Sequence, residues 1–523
     1  MHAAGELRKY AKQITGVELP IINEPREHTG YGIWLGQTGQ AAAAGFNLTE
    51  AALGRDGYAA AADDRGLVAI GRRPLGTLFA VYDIIEREFG VRWYVPDQLG
   101  EVVPRTDTLS VGTFRREFKP SFDYRWVESN DWSLKQRMNV QVKVEGKPVG
   151  VNWKWHFHTF VILIPPEEYF DDHPEWFSLV DGKRQKSTRE HSHSTQLCTT
   201  NPEVVDKLTQ GLLATLDDDP SIEIITLSPN DGGGFCECPD CVALDEPERG
   251  WFARYSKRLT VLNQEIARRV GRRYPEVKIK IGAYAMYALP PEIDDYRPEE
   301  NLLIQLCHIY FCHNHRIDGG QCKADATYEP SHNFLPNRDF RELAKTWGPL
   351  TDNLFIYEYY SLGGWSKADM LWPMVHTMRH DIPWYRDLGA RGFYTQVGPW
   401  ARAPLNYYIA AKLAWNADLD VDWLIDDYCQ RFFEDAAEPM RAYLLETEAA
   451  MTRNNRCISY GLSAGRANKL GPEIFDKPTR HKLRSQLDAA GERANFKTVQ
   501  ERIAAVRNAF DKCEASIRSL EKH

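Results

Sequence analysis

The spacing of apolar residues changes twice along this chain, and the changes divide it into three parts. From about residue 120 to residue 418, short apolar runs typical of strands alternate with segments whose apolar residues recur every three or four positions, as in helices. Strands that alternate with helices form a parallel sheet. Roughly eight such repeats over about 300 residues match the size of a (β/α)8 barrel. We therefore predict an α/β fold with a TIM barrel over residues 116–418.

The predicted barrel elements follow one another at regular intervals. The strands are expected at 122–127, at 140–144 or 153–158, and at 195–199, 222–228, 277–284, 302–310, 354–359 and 392–396. The helices are expected at 203–216, 251–273, 339–345, 370–388 and 405–415.

The two flanking parts have different patterns. Residues 1–115 show an opening helix, strand-like runs at 32–36, 57–61 and 66–71, a helix at 76–89 and a strand at 91–96, which predicts a small α/β accessory domain. After residue 418 the spacing is helical over 421–433, 438–452 and 492–522. Because these apolar faces need cover, we predict that residues 419–523 form a helical C-terminal region against the barrel.

Composition excludes two classes of partner. The net charge of −9 over 523 residues is modest and spread out, without the basic stripe of a nucleic-acid-binding protein. No apolar run approaches the roughly 18–20 residues that span a membrane. The opening ten residues resemble an amphipathic helix rather than a signal peptide, and a helix that begins without a preceding strand suggests a natural start further upstream. The oligomeric state is left open.

Aromatic residues favour a carbohydrate ligand. They make up 12% of the chain, and many of them stand beside glycine, proline and carboxylate residues rather than inside apolar runs. The C–H face of a sugar packs on an aromatic ring while its hydroxyl groups reach polar side chains at the edge.

One apolar run ends abruptly at a carboxylate. The sequence Ile-Ile-Thr-Leu-Ser-Pro-Asn-Asp at residues 224–231 is followed by three glycines. A strand that carries an acid at its C-terminal end is how a barrel enzyme positions a catalytic group, so Asp231 is the first catalytic candidate. An ordinary Asn-Asp-Gly turn after a strand is the alternative.

A second carboxyl group stands near the end of the predicted seventh strand. Glu358 lies in an apolar and aromatic run at 353–360, where a carboxyl group is costly unless it faces a polar cleft or a partner. A structural ion pair with an arginine in the barrel interior is the alternative. If Glu358 and Asp231 face each other across the barrel mouth, they have the disposition that glycoside hydrolysis requires. Asn230 would then hydrogen-bond the substituent on C2 of the sugar.

Other candidates for substrate contact lie at the C-terminal ends of predicted strands, where barrels keep their sites. They are Arg125, Trp126, His156, His158, Tyr284, Tyr287, His308, Tyr310, Gln396 and Trp400. The pair His156 and His158 could bind a metal, but a sugar contact or a structural role is favoured because no carboxylate is adjacent. We predict no cofactor and no metal ion in the catalytic site.

The cysteines form two groups along the sequence. Cys236, Cys238 and Cys241 could hold zinc with a fourth ligand from elsewhere, form one disulfide and a free thiol, or simply staple the loop after Asp231. The second group comprises Cys307, Cys312 and Cys322, interleaved with His308, His313 and His315.

Several motifs resemble one family. The stretch Ser-Pro-Asn-Asp-Gly at 228–232, running into Cys-Glu-Cys-Pro-Asp-Cys at 236–241, resembles the signature of domain of unknown function 4838. So do His-Pro-Glu-Trp-Phe-Ser at 173–178, Gly-Lys-Arg at 182–184, Leu-Cys-Thr-Thr-Asn at 197–201 and Leu-Asn-Tyr-Tyr at 405–408. The segments 76–83 and 90–96 are similar to the accessory domain that precedes the barrel in α-glucuronidases and β-hexosaminidases.

The resemblance implies a function. The family includes glycoside hydrolase family 163, which acts as endo-β-N-acetylglucosaminidase on complex N-glycans. It implies a retaining (β/α)8 glycosidase with Asp231 as acid, in which either the acetamido group of the substrate, held by Asn230, or Glu358 is the nucleophile. Asp231 stands where the double-displacement barrels carry a longer glutamate.

Two alternatives remain beside this hypothesis. An α-glucuronidase-like exo-glycosidase would need cations around a closed pocket, for which Arg125, Lys154 or Arg402 could serve. A non-catalytic carbohydrate-binding barrel would bind glycans without turnover. Because such glycans are usually outside the cytoplasm, we expect an extracellular or periplasmic location.

Overall fold

A computed structural model describes residues 1–23, 30–127, 131–187, 195–319, 322, 336–361, 365, 367–396, 398–460 and 464–522. The first part contains a four-stranded sheet of order β1-β3-β2-β6, in which β1 and β3 are parallel and the other pairs antiparallel. The strands of this part, including the short pair β4 and β5, are β1 Gly32–Leu35, β2 Tyr58–Ala62, β3 Gly66–Gly71, β4 Arg92–Trp93, β5 Glu101–Val102 and β6 Phe114–Phe118. The predicted strands at 32–36, 57–61 and 66–71 are confirmed, whereas β6 was not predicted.

The central element is a curled sheet of seven parallel strands, of order β10-β13-β14-β15-β16-β17-β7. Its strands are β7 Tyr124–Trp126, β10 Trp153–Lys154, β13 Ile224–Thr226, β14 Lys278–Ala283, β15 Leu302–Cys307, β16 Leu354–Glu358 and β17 Gly392–Thr395. Two small hairpins lie outside it, formed by β8 Lys143–Val144 with β9 Lys147–Pro148 and by β11 Leu179–Val180 with β12 Lys183–Arg184. The predicted parallel sheet is therefore present.

A short segment links the two edge strands of this sheet. The backbone N–H groups of Asn139 and Val140 donate to the carbonyl of Arg125 at the end of β7. The N–H of Val151, just before β10, donates to the carbonyl of Asn139, and Val140 forms a parallel bridge with Val151. Of the two alternatives for the second predicted strand, 153–158 contains β10, whereas 140–144 contributes only the bridge at Val140.

The predicted strand at 195–199 is wrong. Within this segment, Leu197 forms an isolated antiparallel bridge with Phe177, and neither residue belongs to the parallel sheet. The apolar side chains of this segment are buried because it lies beneath the loop that follows β13. Burial of a loop produced the same short apolar pattern as a strand.

Alternate residues of the strands face opposite sides of the sheet. Phe355 and Tyr357 of β16 face inward, since Phe355 meets Trp153 of β10 at 5.1 Å between ring centroids. The intervening residues, including Glu358, consequently face outward towards the helices. Only the inward-facing residues of each strand can therefore reach the space that the curled sheet encloses.

Helices cover the outer face of the sheet and build the C-terminal region. The helices are α1 His2–Thr15, α2 Gly39–Ala43, α3 Glu50–Leu53, α4 Pro74–Arg87, α5 Asp131–Lys135, α6 Phe160–Leu163, α7 Pro166–Tyr169, α8 Pro202–Asp218, α9 Pro239–Val242, α10 Ser256–Gly271, α11 Asn337–Trp347, α12 Val375–Asp387, α13 Asn406–Trp415, α14 Val421–Phe433, α15 Ala437–Asn454, α16 Ala464–Ile474, α17 Lys477–Arg493 and α18 Lys497–Leu520. In the described part of the chain, none is long and apolar enough to cross a membrane.

Buried ion pairs join the three parts of the chain. Arg92 beside the first sheet pairs with Asp427 of α14, with 2.7 Å between Nε and Oδ2. Glu86 of α4 pairs with Arg137 at 2.5 Å and with Lys412 of α13. Since breaking a buried pair leaves an uncompensated charge, these contacts fix the accessory sheet and the C-terminal helices against the central sheet.

Candidate active site

The mouth of the curled sheet is formed where the parallel strands end. Asp231 lies five residues beyond β13 and is half-buried there. The hydroxyl of Tyr284, which follows β14, donates to Oδ1 of Asp231 at 3.2 Å. The predicted acid is therefore held at the mouth by a neighbouring strand end.

Aromatic rings line the mouth in two groups. On the side of β7 and β17, the rings of Trp126, His156 and Tyr394 lie 4.6–4.8 Å apart, and Tyr357 lies 4.7 Å from Tyr394. Gln396 joins this group through its amide, which donates to the Tyr357 hydroxyl at 2.8 Å. The structure thus brings Trp126, His156 and Gln396 together, and their contact with a substrate stays a prediction.

The second group surrounds Asp231. Tyr284 lies 6.1 Å from Tyr287 and 6.2 Å from Tyr310, between ring centroids. Burial raises the pKa of all three hydroxyls, and the charge of Asp231 raises each further. The three phenols remain protonated at neutral pH and can donate hydrogen bonds to sugar oxygens or to Asp231.

His156 is a neutral imidazole in this environment. Burial, together with the nearby charges of Lys280 and His158, lowers its pKa to about 3. Its Nε2 has no hydrogen-bond partner among the described residues. A ring nitrogen of this kind can bind a polar group of a ligand that enters the mouth.

Lys280 was not predicted to belong to the site. It lies inside the sheet on β14, is fully buried, and donates from Nζ to the carbonyl of His156 at 2.8 Å. Nζ of Lys280 also lies 3.4 Å from the ring centroid of Phe157, and burial lowers the pKa of Lys280 well below the usual value. The sequence did offer a signal for Lys280, since it is a lysine within an otherwise largely apolar strand.

Glu358 does not face the mouth, which corrects the prediction that it opposes Asp231. It is 1% exposed and points towards the helices. Its carboxylate accepts hydrogen bonds from the hydroxyl of Tyr385 in α12 and from the backbone N–H of Tyr359 at 3.2 Å, and it lies 3.1 Å from Nδ1 of His308. The predicted ion pair exists, but its partner is histidine rather than arginine.

The prediction that His308 contacts the substrate is corrected as well, because its ring also has structural partners. Its Nε2 lies 3.0 Å from Oδ1 of Asn337, and the amide nitrogen of Asn337 donates to the carbonyl of His315 at 2.5 Å, which fixes the orientation of the amide. Both ring nitrogens of His308 therefore face acceptors. Burial alone would lower the pKa of His308, but Glu358 raises it, and the pair is charged.

Asn230 and Arg125 also have structural partners. The amide of Asn230 accepts from the N–H of Val161 at 3.1 Å and donates to the carbonyl of Thr195 at 2.9 Å, so the predicted contact with a C2 substituent does not fit. Arg125 is fully buried and donates to the carbonyls of Arg137 and Phe122. It supports the bridge between the edge strands and does not reach the mouth.

Of the last two predicted contact residues, one lies near Asp231 and the other does not. Nδ1 of His158 lies 3.0 Å from the carbonyl of Pro229, which places this half-buried ring beside the loop that carries Asp231. The indole of Trp400 instead donates to Asp97 at 3.1 Å and packs against Phe432, which are residues of the accessory and C-terminal parts.

Cysteine and histidine side chains form compact buried groups outside the mouth. All ten cysteines have free thiols, so of the alternatives for Cys236, Cys238 and Cys241 the structure does not show the disulfide. The sulfur atoms of Cys198, Cys236, Cys238 and Cys241 lie within 4.8 Å of one another, as do the ligand atoms of Cys312, His315, Cys322 and Cys457. Sequence analysis missed Cys198 and Cys457 because each comes from a distant segment.

Among the solved structures that are similar to this chain, the one with a TM-score above 0.5 supports the fold. A family GH115 4-O-methyl-α-glucuronidase with specificity for decorated arabinogalactans is 14% identical, with a TM-score of 0.55 over 100% of this chain and 74% of that chain. CpGH84D is 9% identical, with a TM-score of 0.47 over 100% of this chain and 88% of its own. The GH20 β-N-acetylhexosaminidase of Streptomyces coelicolor A3(2) is 14% identical, with a TM-score of 0.41 over 84% of this chain and 89% of its own.

Sequence comparison assigns the family. No curated protein matches the chain. A family model described as "Domain of unknown function (DUF4838)" matches residues 94–445, which include the whole parallel sheet and most of the helices around it. The chain therefore belongs to the DUF4838 family.

Proposed function

We propose that this protein is a retaining glycoside hydrolase that cleaves a β-N-acetylglucosaminide, with Asp231 as the general acid. The observation that carries the proposal is the half-buried Asp231 carboxyl group, which receives a hydrogen bond from Tyr284 at an aromatic mouth. The proposal takes the curled sheet to be a (β/α)8 barrel whose second strand is reduced to the bridge at Val140. The similarity to the GH115 structure supports that fold.

The position of Glu358 favours one of the two retaining mechanisms. Double displacement needs a second carboxylate about 5–5.5 Å from the acid and open to the anomeric carbon. Glu358 is enclosed by His308 and Tyr385 on the helix side of β16. The nucleophile is therefore supplied by the substrate, which favours a sugar with a 2-acetamido group.

The reaction has two steps. The acetamido carbonyl oxygen bonds to the anomeric carbon while the glycosidic bond breaks, and the leaving oxygen takes the proton of Asp231. Water then attacks the anomeric carbon, opens the fused ring, and returns a proton to Asp231. Tyr284 stabilises the carboxylate form between the steps because its hydroxyl donates to Oδ1. Two inversions at one carbon give overall retention.

Hydrolysis of β-N-acetylglucosaminides with a sugar leaving group, including a complex N-glycan, tests this proposal. Asp231→Asn should reduce turnover about 10²–10⁴-fold, the usual contribution of a general acid, with an unchanged fold. Asp240→Asn is the matched control, since this exposed acid lies in the same loop at the start of α9. A parent rate for Asp231→Asn would refute the assignment. A substrate with a 2-hydroxyl in place of the acetamido group should not be cleaved.

The GH115 structure favours a second candidate, an exo-glycosidase acting on uronic acids. This function would need free cations around the pocket, and the three cationic residues predicted for it are placed differently. Arg125 is buried away from the mouth, Arg402 is paired with Asp369, and Lys154 lies half-buried beside the ring of Trp155. Hydrolysis of uronic acid glycosides but not N-acetylglucosaminides would select this candidate. Glycan binding by calorimetry without any product would select a binding barrel instead.

A further inference from the structure

Four cysteine sulfurs meet in a closed, buried group beside the loop that carries Asp231. Three come from the sequence Cys-Glu-Cys-Pro-Asp-Cys, and the fourth, Cys198, comes from the segment beneath it. The four residues are at most 9% exposed. The group belongs to no part of the proposed reaction.

The spacing of the sulfurs fits a tetrahedral metal site. Sulfur ligands at about 2.3 Å from zinc lie about 3.8 Å from one another at the corners of a tetrahedron. Sγ of Cys198 lies 3.7 Å from Sγ of Cys238 and 3.9 Å from Sγ of Cys241. A disulfide would require about 2.05 Å.

Neighbouring donors complete the surroundings of the sulfurs. The backbone N–H of Leu179 and the guanidinium of Arg184 lie 3.4 Å and 3.7 Å from Sγ of Cys236. The hydroxyl of Thr200 lies 3.1 Å from Sγ of Cys241. Donors of this kind stabilise thiolates, the form in which cysteine binds a metal.

A second, independent group has three sulfurs and one imidazole nitrogen. Nδ1 of His315 lies 3.2 Å from Sγ of Cys312 and 3.7 Å from Sγ of Cys457, against about 3.6 Å expected between nitrogen and sulfur ligands of zinc. Sγ of Cys322 lies 3.2 Å from Sγ of Cys457, which is also well beyond a disulfide bond.

The other nitrogen of His315 is held by an asparagine. Nε2 lies 2.7 Å from Oδ1 of Asn455, an oxygen that can only accept, so Nδ1 is the nitrogen directed at the sulfurs. Metal-binding histidines are oriented in this way by an acceptor that takes the hydrogen of the nitrogen facing away from the metal. Asn455 has a φ of 53° at the end of α15, a left-handed conformation that asparagine tolerates.

We propose that the chain binds two zinc ions, one at Cys198, Cys236, Cys238 and Cys241 and one at Cys312, His315, Cys322 and Cys457. Soft thiolate ligands in a tetrahedron select zinc over magnesium or calcium. Four protein ligands leave no position for water, so both sites are structural rather than catalytic.

Each site joins segments that are distant in sequence. The first fixes the segment of Cys198 under the loop of Asp231, where Gln196 accepts from the backbone N–H of Asn230 at 2.9 Å. The second ties Cys457, beyond α15, to Cys312, beyond β15. The metals would therefore hold the catalytic loop and the C-terminal region in place.

Metal analysis of the purified full chain, prepared with added zinc and without chelator, tests the proposal. We expect two zinc ions per chain, one in Cys198→Ser, one in Cys457→Ser and none in the double variant. Cys429→Ala is the control, because this buried thiol of α14 belongs to neither group, and it should keep both ions.

A second measurement guards against variants that do not fold. Titration of the parent protein with a mercurial should release two zinc ions to a colorimetric indicator as the thiols react. Iron with visible charge-transfer absorption would overturn the choice of metal. A metal-free protein, whether its thiols are reduced or paired as disulfides, would overturn both sites. If the parent protein bound a single zinc ion, the serine variant that still bound it would identify the site to be rejected.

Discussion

Replacement of Glu358 by glutamine tests the finding that this carboxylate is structural. The change keeps the size of the side chain and removes its charge. In the native protein the carboxylate accepts from Tyr385 and from the N–H of Tyr359, and it neutralises His308. A glutamine must turn its NH₂ group towards at least one of these donors.

The cost follows from the position of His308. Both its nitrogens donate, one to Glu358 and one to Asn337, so the variant leaves a buried cation without a counter-charge. Breaking a buried pair costs about 3–5 kcal/mol. At roughly 2–4 °C per kcal/mol for domains of moderate size, and less for larger ones, we expect the melting temperature to fall by roughly 5–10 °C.

The loss should depend on pH in a defined way. Glu358 has a lowered pKa, because His308 and its hydrogen bonds outweigh the effect of burial, so its contribution is lost as pH falls below about 4.3. His308 has a raised pKa, so its contribution is complete below about 6.5 and is lost as pH rises through its folded-state pKa. The destabilisation of Glu358→Gln should thus be largest between about pH 4.3 and 6.5.

Thermal unfolding and hydrolysis, measured on the same samples, provide the assay. Glu342→Gln is the matched control, because the ion pairs of this exposed residue with Arg341 and Lys345 lie at the surface and their loss should cost less than about 0.5 kcal/mol. The folded fraction of Glu358→Gln should hydrolyse glycans at nearly the parent rate. An inactive variant of unchanged stability would refute the reasoning and return Glu358 to the role of nucleophile.

Three further substitutions have defined outcomes. Tyr284→Phe removes the hydroxyl that donates to Asp231 and should lower kcat about tenfold, which corresponds to about 1.4 kcal/mol, in a steady-state assay. Lys280→Met should raise the urea midpoint at pH 7, because burial disfavours the charged form of Lys280 and lowers its pKa in the folded state. For the same reason the parent protein, unlike the variant, should gain stability as pH rises towards about 10.4, the pKa of lysine in the unfolded chain. Trp126→Ala should raise KM about tenfold through loss of ring contacts with the sugar, and an unchanged KM would remove it from the site.

The repeating part of the fold was accessible to sequence analysis. Apolar spacing identified α8 and α14 closely, and the apolar run at 224–231 identified the strand β13 that precedes Asp231. Periodicity works for these elements because one face of each helix is buried and the other is exposed. It failed at 195–199, where a buried loop has the composition of a strand.

The direction of Glu358 could not be read from the sequence. A strand of a parallel sheet with helices outside is buried on both faces, so apolar residues occupy both parities of β16. Cys198 and Cys457 were missed for a different reason, since they reach their partners through folding across 40 and 135 residues. Local spacing carries no signal for such contacts.

The dependence of hydrolysis on the leaving group tests the role of Asp231 most directly. A general acid matters most when the departing oxygen is basic and little when it is a good leaving group. In a single turnover, Asp231→Asn should therefore release 2,4-dinitrophenol from its β-N-acetylglucosaminide at nearly the parent rate and lose about 10²–10⁴-fold on a sugar leaving group. Equal losses on both substrates, or no loss on either, would contradict the account.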